Sequence, residues 1–157
     1  MTVTRHPMWI DGEPVETARW MPVYDPATEQ VVAEVPAGEP AHADAAVAAA
    51  RRAFDEGPWP RMSPQQRAEI LHRIGSALEE HAEELGHLEC RTSGATIRRT
   101  LFGDVPMAAR YFHDVAELAQ TFEWEIEMPP SNSVDANVRR IVREPVGVCV
   151  GITPFNG

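Results

Sequence analysis

The spacing of apolar and polar positions divides this 157-residue chain into stretches of different period. Near the start, Trp9-Ile10-Asp11-Gly12-Glu13-Pro14-Val15 sets two short extended pieces on either side of an Asp-Gly pair that tolerates positive φ, which predicts a hairpin. A second hairpin is predicted from Val23-Tyr24 and Val31 to Val35, which flank Asp25-Pro26-Ala27-Thr28-Glu29-Gln30. There Pro26 fixes φ and the Asp25 side chain can bond the turn backbone.

Beyond Gly38 the period becomes helical. Ala43, Ala46, Val47, Ala50 and Phe54 recur on one face, with Pro40 in the first turn and Gly57-Pro58-Trp59-Pro60 as the stop. Ser63-Pro64-Gln65-Gln66 then has the form of a capping box, in which the Ser63 hydroxyl and the Gln66 amide each satisfy the other's backbone N–H. The stripe Ile70, Leu71, Ile74, Ala77 and Leu78, followed by Ala82, Leu85 and Leu88, predicts two consecutive helices breaking near His81 and ending at Gly94. A further helix is expected to begin at Asp104-Val105-Pro106, with Val105, Ala108, Ala109, Phe112, Val115, Ala116 and Ala119 as its apolar face.

After that helix the period falls to two. Phe122, Trp124, Ile126 and Met128 alternate with Glu123, Glu125 and Glu127, as in a strand wet on one side, and Val138 to Arg143 is a second extended run that can pair with it. Pro129-Pro130-Ser131-Asn132-Ser133 reads as a loop between them, and Glu144-Pro145 as a break. Val146-Gly147-Val148-Cys149-Val150-Gly151-Ile152 is apolar throughout, which predicts a strand buried on both faces, as in a parallel α/β sheet. Such a strand needs neighbours and covering helices, yet only five residues follow it, so the chain looks cut inside a larger fold.

Composition narrows the functional classes. Hydrophobic content of 43% and charged content of 24% are those of an ordinary globular protein, and 14 prolines imply many punctuated connections. The formal charge is −10, from 24 acidic against 14 basic residues, which repels a phosphate backbone and disfavours nucleic acid as a partner. No apolar run is long enough to cross a bilayer or serve as a signal peptide, so no membrane partner is expected. Cys90 and Cys149 stand far apart without paired spacing, which fits a reducing compartment, and a cytoplasmic location is expected.

Candidate chemistry is sparse. Cys149 is expected inside the buried strand and Cys90 on a helix between Glu89 and Arg91, both structural rather than nucleophilic. His42, His72 and His113 are read as solitary residues on solvated helix faces. His81 and His87 are six apart, so no metal site is expected. Glu79-Glu80 with Glu83-Glu84 reads as an exposed acidic face, and no G-x-G-x-x-G or P-loop is present.

Several of these segments, taken in order, resemble the amino-terminal portion of NAD(P)-dependent aldehyde dehydrogenases. Trp9-Ile10-Asp11-Gly12 and Tyr24-Asp25-Pro26-Ala27-Thr28 are similar to that family's opening hairpins. Gly57-Pro58-Trp59, Ser63-Pro64 and Arg67-Ala68 before Ile70-Leu71 are similar to its loop and helix, and Thr92-Ser93-Gly94 stands where it often has a Thr-Gly-Lys turn. The most specific piece is Glu144-Pro145-Val146-Gly147-Val148-Cys149-Val150-Gly151-Ile152-Thr153-Pro154-Phe155-Asn156, which is similar to the family's strand leading into a Pro-Trp/Phe-Asn turn. Two departures stand out: Gly157 follows Asn156 where an aromatic residue is common, and Ala95 replaces a frequent Lys.

The resemblance implies an α/β fold with an amino-terminal β-hairpin arm, helices, an oligomerisation-type hairpin and the first strand of an incomplete Rossmann-like sheet. It divides the chain into residues 1–121, the arm and helices of a cofactor-binding domain; 122–144, the hairpin; and 145–157, the first Rossmann-like strand and turn. It implies Asn156 as the catalytic oxyanion-hole asparagine and Ile152, Thr153, Pro154 and Phe155 as a nicotinamide-side wall for NAD or NADP. A small aldehyde is the implied substrate, and a homo-oligomer or the remainder of such an enzyme the implied partner. The family's cysteine nucleophile and glutamate base lie farther along than residue 157, so activity of this chain alone, or cofactor binding by it alone, is not expected. The alternative is a non-catalytic oligomerisation or interaction module of the same descent.

Overall fold

A computed structural model describes residues 3–129 and 138–153. The chain begins with short strands, β1 (Thr4–Arg5), β2 (Met8–Ile10), β3 (Glu13–Val15), β4 (Trp20–Tyr24) and β5 (Val31–Pro36). β2 and β3 form the first predicted hairpin, and Asp11 (φ 58°) and Gly12 (φ 79°) both take the left-handed conformation that a tight two-residue turn demands. β4 and β5 form the second, in which Asp25 Oδ1 accepts the backbone N–H of Ala27 at 2.8 Å and of Thr28 at 3.3 Å. β1 adds in parallel to the far edge of β5, giving a three-stranded sheet in the order β1-β5-β4. Sequence periodicity could not reveal that edge strand, because two residues carry no period.

α1 (Pro40–Asp55) follows the predicted bounds but not the predicted packing. Ala43, Ala46, Val47 and Ala50 remain exposed, Phe54 is half-buried, and the buried residue is Ala49. The helix lies against the first hairpin, and Arg52 Nη2 donates to Asp11 Oδ2 at 2.6 Å. Its small-residue face therefore has little to lie against among the described residues.

The core is built by α2 (Pro64–Glu80) and α5 (Val105–Thr121), the most extensively packed pair of elements. The capping box that starts α2 is formed: the Ser63 N–H donates to Gln66 Oε1 at 2.9 Å and the Gln66 N–H to Ser63 Oγ at 3.2 Å. The two helices run antiparallel, since Gly75 meets His113 while the earlier His72 meets the later Glu117. Each helix buries small residues. Ala68 and Gly75 on α2, and Ala109 and Ala116 on α5, are buried, the last two with no exposed surface at all. At Gly75 even a single methyl group would lie 2.7 Å from His113 Nε2.

α3 (Ala82–Ser93) begins where the break near His81 was predicted and stops at Gly94, whose φ of 76° is the left-handed C-cap. Gly86 is buried against Leu101, so α3 too is positioned by a residue without a side chain. The next helical run starts earlier than the predicted Asp104. It opens with the single turn α4 (Ile97–Arg99), continues through a π-helical turn at Thr100–Asp104, and leads without a break into α5. Gly103 masks this extension in the apolar pattern. The fully buried Thr100 is accommodated by donating its hydroxyl to the Ile97 carbonyl at 3.1 Å.

Strands β6 (Glu125–Glu127) and β7 (Arg140–Val142) pair antiparallel with Ile126 opposite Ile141, the pairing predicted for the two alternating runs. The hairpin is anchored to the helical core through its first residues: Trp124 Nε1 donates to the Ala119 carbonyl at 3.2 Å and Phe122 packs edge-on to Trp124. The predicted strand at 146–152 is not formed. Residues 143–153 have no regular secondary structure, and Val146, Val150 and Ile152 are exposed. A doubly buried strand exists only by virtue of neighbours that hydrogen-bond to both its edges, and none of the described residues lies alongside this one.

Because Ala116 on α5 has no exposed surface, Ala116→Leu is expected to destabilise the protein by about 1–3 kcal/mol through overpacking of the core. Ser63→Ala is expected to cost about 1 kcal/mol through the lost cap. Urea denaturation followed by circular dichroism measures both.

Candidate functional site

The predicted chemistry concentrates at residues 152–156. Of these, Pro154, Phe155 and Asn156 lie outside the described residues; Ile152 and Thr153 are described. Ile152 is 92% exposed and Thr153 is exposed, both at the end of the irregular segment. An apolar side chain and a hydroxyl are suitable chemistry for one wall against a nicotinamide ring. No described residue stands opposite them, so the two do not by themselves form a dinucleotide site.

The segment that carries them is held at one place. Gly147 and Val148 are half-buried and, with Cys149, border a cleft of about 280 Å³ whose other wall is Ala50, Ala53 and Phe54 of α1 with Trp59 and Pro60. Gly147 has φ +106°, a conformation that L side chains rarely adopt, and a Cβ there would sit 3.2 Å from Arg51 Nη1. Glycine is thus required where the chain turns onto α1. Arg51 is itself fixed by Asp55 one turn on, with Nε to Oδ2 at 2.9 Å, and lies over the Phe54 ring at 4.5 Å. The rigid Trp59–Arg61 turn is secured by the Arg61 guanidinium, which donates to the carbonyls of Asp55, Glu56 and Gly57.

The cysteines divide differently from the sequence expectation. Cys149, expected within a buried strand, is exposed, because that strand is not formed; its thiol lies 3.9 Å from the Gly147 carbonyl. Cys90 is half-buried on α3. Neither has a histidine or carboxylate in hydrogen-bonding or ion-pair contact with its sulfur among the described residues, so neither has an adjacent base to generate a thiolate.

The histidines also depart from expectation. His72 and His113, read as solitary, are brought together across the α2–α5 seam with their Nδ1 atoms 2.8 Å apart. They are 41 residues apart in sequence, and only the antiparallel register of the two helices makes them neighbours. His42 is also engaged, its Nδ1 accepting the Glu39 N–H at 3.1 Å at the start of α1. His81 lies 3.4 Å from Glu84, and the acidic face Glu79-Glu80 and Glu83-Glu84 is exposed. Among the described residues no group of three or more His, Cys, Asp or Glu is arranged to hold a metal ion. No helix there is long and apolar enough to cross a membrane.

A larger apolar cleft, about 490 Å³, separates the sheet from the helices. Val23, Ala33 and Val35 face Leu78, Leu85, Leu88, Val105 and Ala108 across it, with few polar groups to orient a substrate.

Comparison with known proteins places these features in a larger frame. Residues 9–157 match the model of the aldehyde dehydrogenase family. The chain is 35% identical over 156 residues to aldehyde dehydrogenase family 2 member B4, mitochondrial, of Arabidopsis thaliana, covering 98% of this chain and 28% of that protein. It is 35% identical over 151 residues to the NADP/NAD-dependent aldehyde dehydrogenase PuuC of Escherichia coli, covering 95% of this chain and 30% of that one. Among solved structures, a double mutant of betaine aldehyde dehydrogenase from Staphylococcus aureus in complex with NAD+ superposes with a TM-score of 0.88 at 31% identity, over 98% of this chain and 30% of that chain. The 157 residues thus span under a third of the length of the relatives they match.

The exposure difference between the two thiols has a direct consequence. Cys149 is expected to react with a maleimide several-fold faster than Cys90, which intact and peptide mass spectrometry at short labelling times resolves.

Proposed function

Because this chain belongs to the aldehyde dehydrogenase family, we propose that it forms the amino-terminal part of an oxidoreductase that converts a small aldehyde to a carboxylate with NAD or NADP. The observation that carries this reading is the continuous family match from residue 9 to residue 157, which includes the run ending in Asn156. Support comes also from the NAD+ complex of the structurally similar Staphylococcus aureus protein.

In this proposal the division at residues 1–121, 122–144 and 145–157 stands as read from the sequence, and Asn156 is the residue that acts on the reacting carbonyl. When a thiolate adds to an aldehyde, the carbonyl oxygen gains negative charge, and a preorganised side-chain amide stabilises it by donating N–H. Ile152, Thr153, Pro154 and Phe155 would flank the nicotinamide. A bound dinucleotide would supply the hydride acceptor; the Ile152 side chain would exclude water from that face, and the Thr153 hydroxyl would be available as a hydrogen-bond partner. The nucleophile and the base that releases the product are assigned to residues beyond these 157, since neither Cys90 nor Cys149 has a base beside it among the described residues. A cytoplasmic setting agrees with two unpaired thiols.

A second reading rests on the β6–β7 hairpin. Trp124, Met128, Ile141 and Val142 are exposed on it, and a two-stranded hairpin is marginal without a covering partner. In that reading the chain is an oligomerisation or interaction module, and a second copy covers the hairpin. Sedimentation equilibrium is expected to show self-association; a strictly monomeric protein at high concentration contradicts it.

The 157-residue protein alone is expected to give no aldehyde-dependent NAD(P)H formation by absorbance at the reduced-nicotinamide band, and measurable turnover would refute the assignment of the nucleophile. In an active enzyme that contains this segment, Asn156→Ala is expected to lower kcat by about 10²–10³.

A further inference from the structure

The apolar cleft between the β1-β5-β4 sheet and the helices takes no part in the chemistry proposed for residues 152–156, and none of those residues lines it. Ala33 and Val35 share one face of β5 and lie beside Val23 of β4. Opposite them stand Leu78 near the end of α2 and Leu85 and Leu88 on α3. These side chains leave about 490 Å³ unfilled between the two layers, a volume typical of small-molecule sites.

One residue breaks the apolar pattern. Leu85, Leu88, Glu89 and Thr92 recur at i, i+3, i+4 and i+7, the spacing of a single helix face, and all four line the cleft. Glu89 therefore puts a carboxylate on the stripe that α3 turns towards the sheet. It is half-buried, and among the described residues no basic nitrogen lies within ion-pair distance of it. A charge held against an apolar surface is unfavourable until an opposite charge joins it. Asp104, the other carboxylate bordering the cleft, already has its partner: Arg99 Nε lies 3.2 Å from Oδ1 and 3.0 Å from Oδ2.

The remaining polar groups narrow the complementary ligand. Thr92 Oγ1 donates its hydrogen to the Leu88 carbonyl at 3.0 Å, so what it offers a ligand is an acceptor oxygen. His6 is exposed at the sheet side. A carboxylate ligand would meet like charge at Glu89 and Asp104, and a neutral one would leave Glu89 without a partner. We propose that this cleft binds a small amphiphilic cation, a primary ammonium on an arylalkyl or short alkyl body. The ammonium donates to the Glu89 carboxylate and to Thr92 Oγ1, while the body lies between β5 and α3. The formal charge of −10 on the chain attracts such a ligand in the same sense.

Three probes that share one body and differ in the head group test this: phenylbutylamine, phenylbutanol and phenylbutyrate, each titrated into the 157-residue protein by calorimetry and by amide NMR spectra. The amine is expected to bind with a Kd of about 1 mM or lower. It should do so roughly tenfold more tightly than the alcohol, with no detectable binding of the carboxylate. Amide shifts are expected in Ala33 to Val35 and Leu85 to Thr92. Glu89→Gln is expected to weaken the amine about tenfold and leave the alcohol unchanged, a difference that general loss of packing would not produce. The proposal is overturned if the alcohol or the carboxylate binds as well as the amine, if Glu89→Gln leaves the amine unaffected, or if the shifts fall on other residues. Dilution-dependent shifts of the cleft amides without any ligand would show a second copy covering the cleft, and would overturn it too.

Discussion

The packing of α2 on α5 is the constraint on which the helical core depends. Ala68 and Gly75 on α2 and Ala109 and Ala116 on α5 are the buried small residues of this pair, and Gly75 makes room for the His113 ring. The cost is that little hydrophobic surface is buried at the closest point, so the larger side chains beside the seam, Ile70, Leu71, Leu78 and Phe112, carry the burial at half depth. Three elements attach to this pair. α3 seats Gly86 against Leu101, the π-helical turn feeds directly into α5, and Trp124 bonds the end of α5 to begin the β6–β7 hairpin.

Such a seam also determines which polar groups meet. His72 and His113 are adjacent because Gly75 leaves room for one ring and the antiparallel register delivers the other. A polar pair within a seam is unfavourable unless its hydrogen bonds are made, and here the partners are the second ring and two glutamates from opposite helices. Among the described residues, the segment that leads to the expected chemistry has no comparable support. From Pro145 to Thr153 it touches the body chiefly where Gly147 and Val148 settle beside α1 and Trp59. An apolar run of this kind forms a strand only beside neighbouring strands, and the role proposed for Asn156 would need such organisation.

Local chemistry was legible in the sequence wherever one or two residues decide the backbone. The Asp11-Gly12 turn, the Asp25 turn, the Ser63–Gln66 cap and the left-handed Gly94 are formed as their residue types demand, and helical periodicity placed α1, α2, α3 and most of α5. Features that depend on distant partners were not legible. The face of α1 was correctly identified as apolar, yet it is exposed, because periodicity tells which residues share a face and not what covers it. The run 146–152 reads as a buried strand from composition alone, but strand formation is a property of at least two segments. The His72–His113 contact joins residues 41 apart through a helix register that no local pattern encodes. At the candidate site, the exposure of Ile152 and Thr153 could not be read from their types, and the role proposed for Asn156 comes from the resemblance of the run that ends in it.

Backbone amide hydrogen exchange, followed residue by residue on the purified protein, tests most directly whether the α2–α5 seam is the element that holds the structure. Slowest exchange is predicted for the amides around Ala68 to Ala77 and Ala109 to Ala116, with residues 146–153 exchanging as fast as an unstructured peptide. Protection that is greater in the β4–β5 sheet than in these two helices, or strong protection of Val148 to Ile152, would contradict the account.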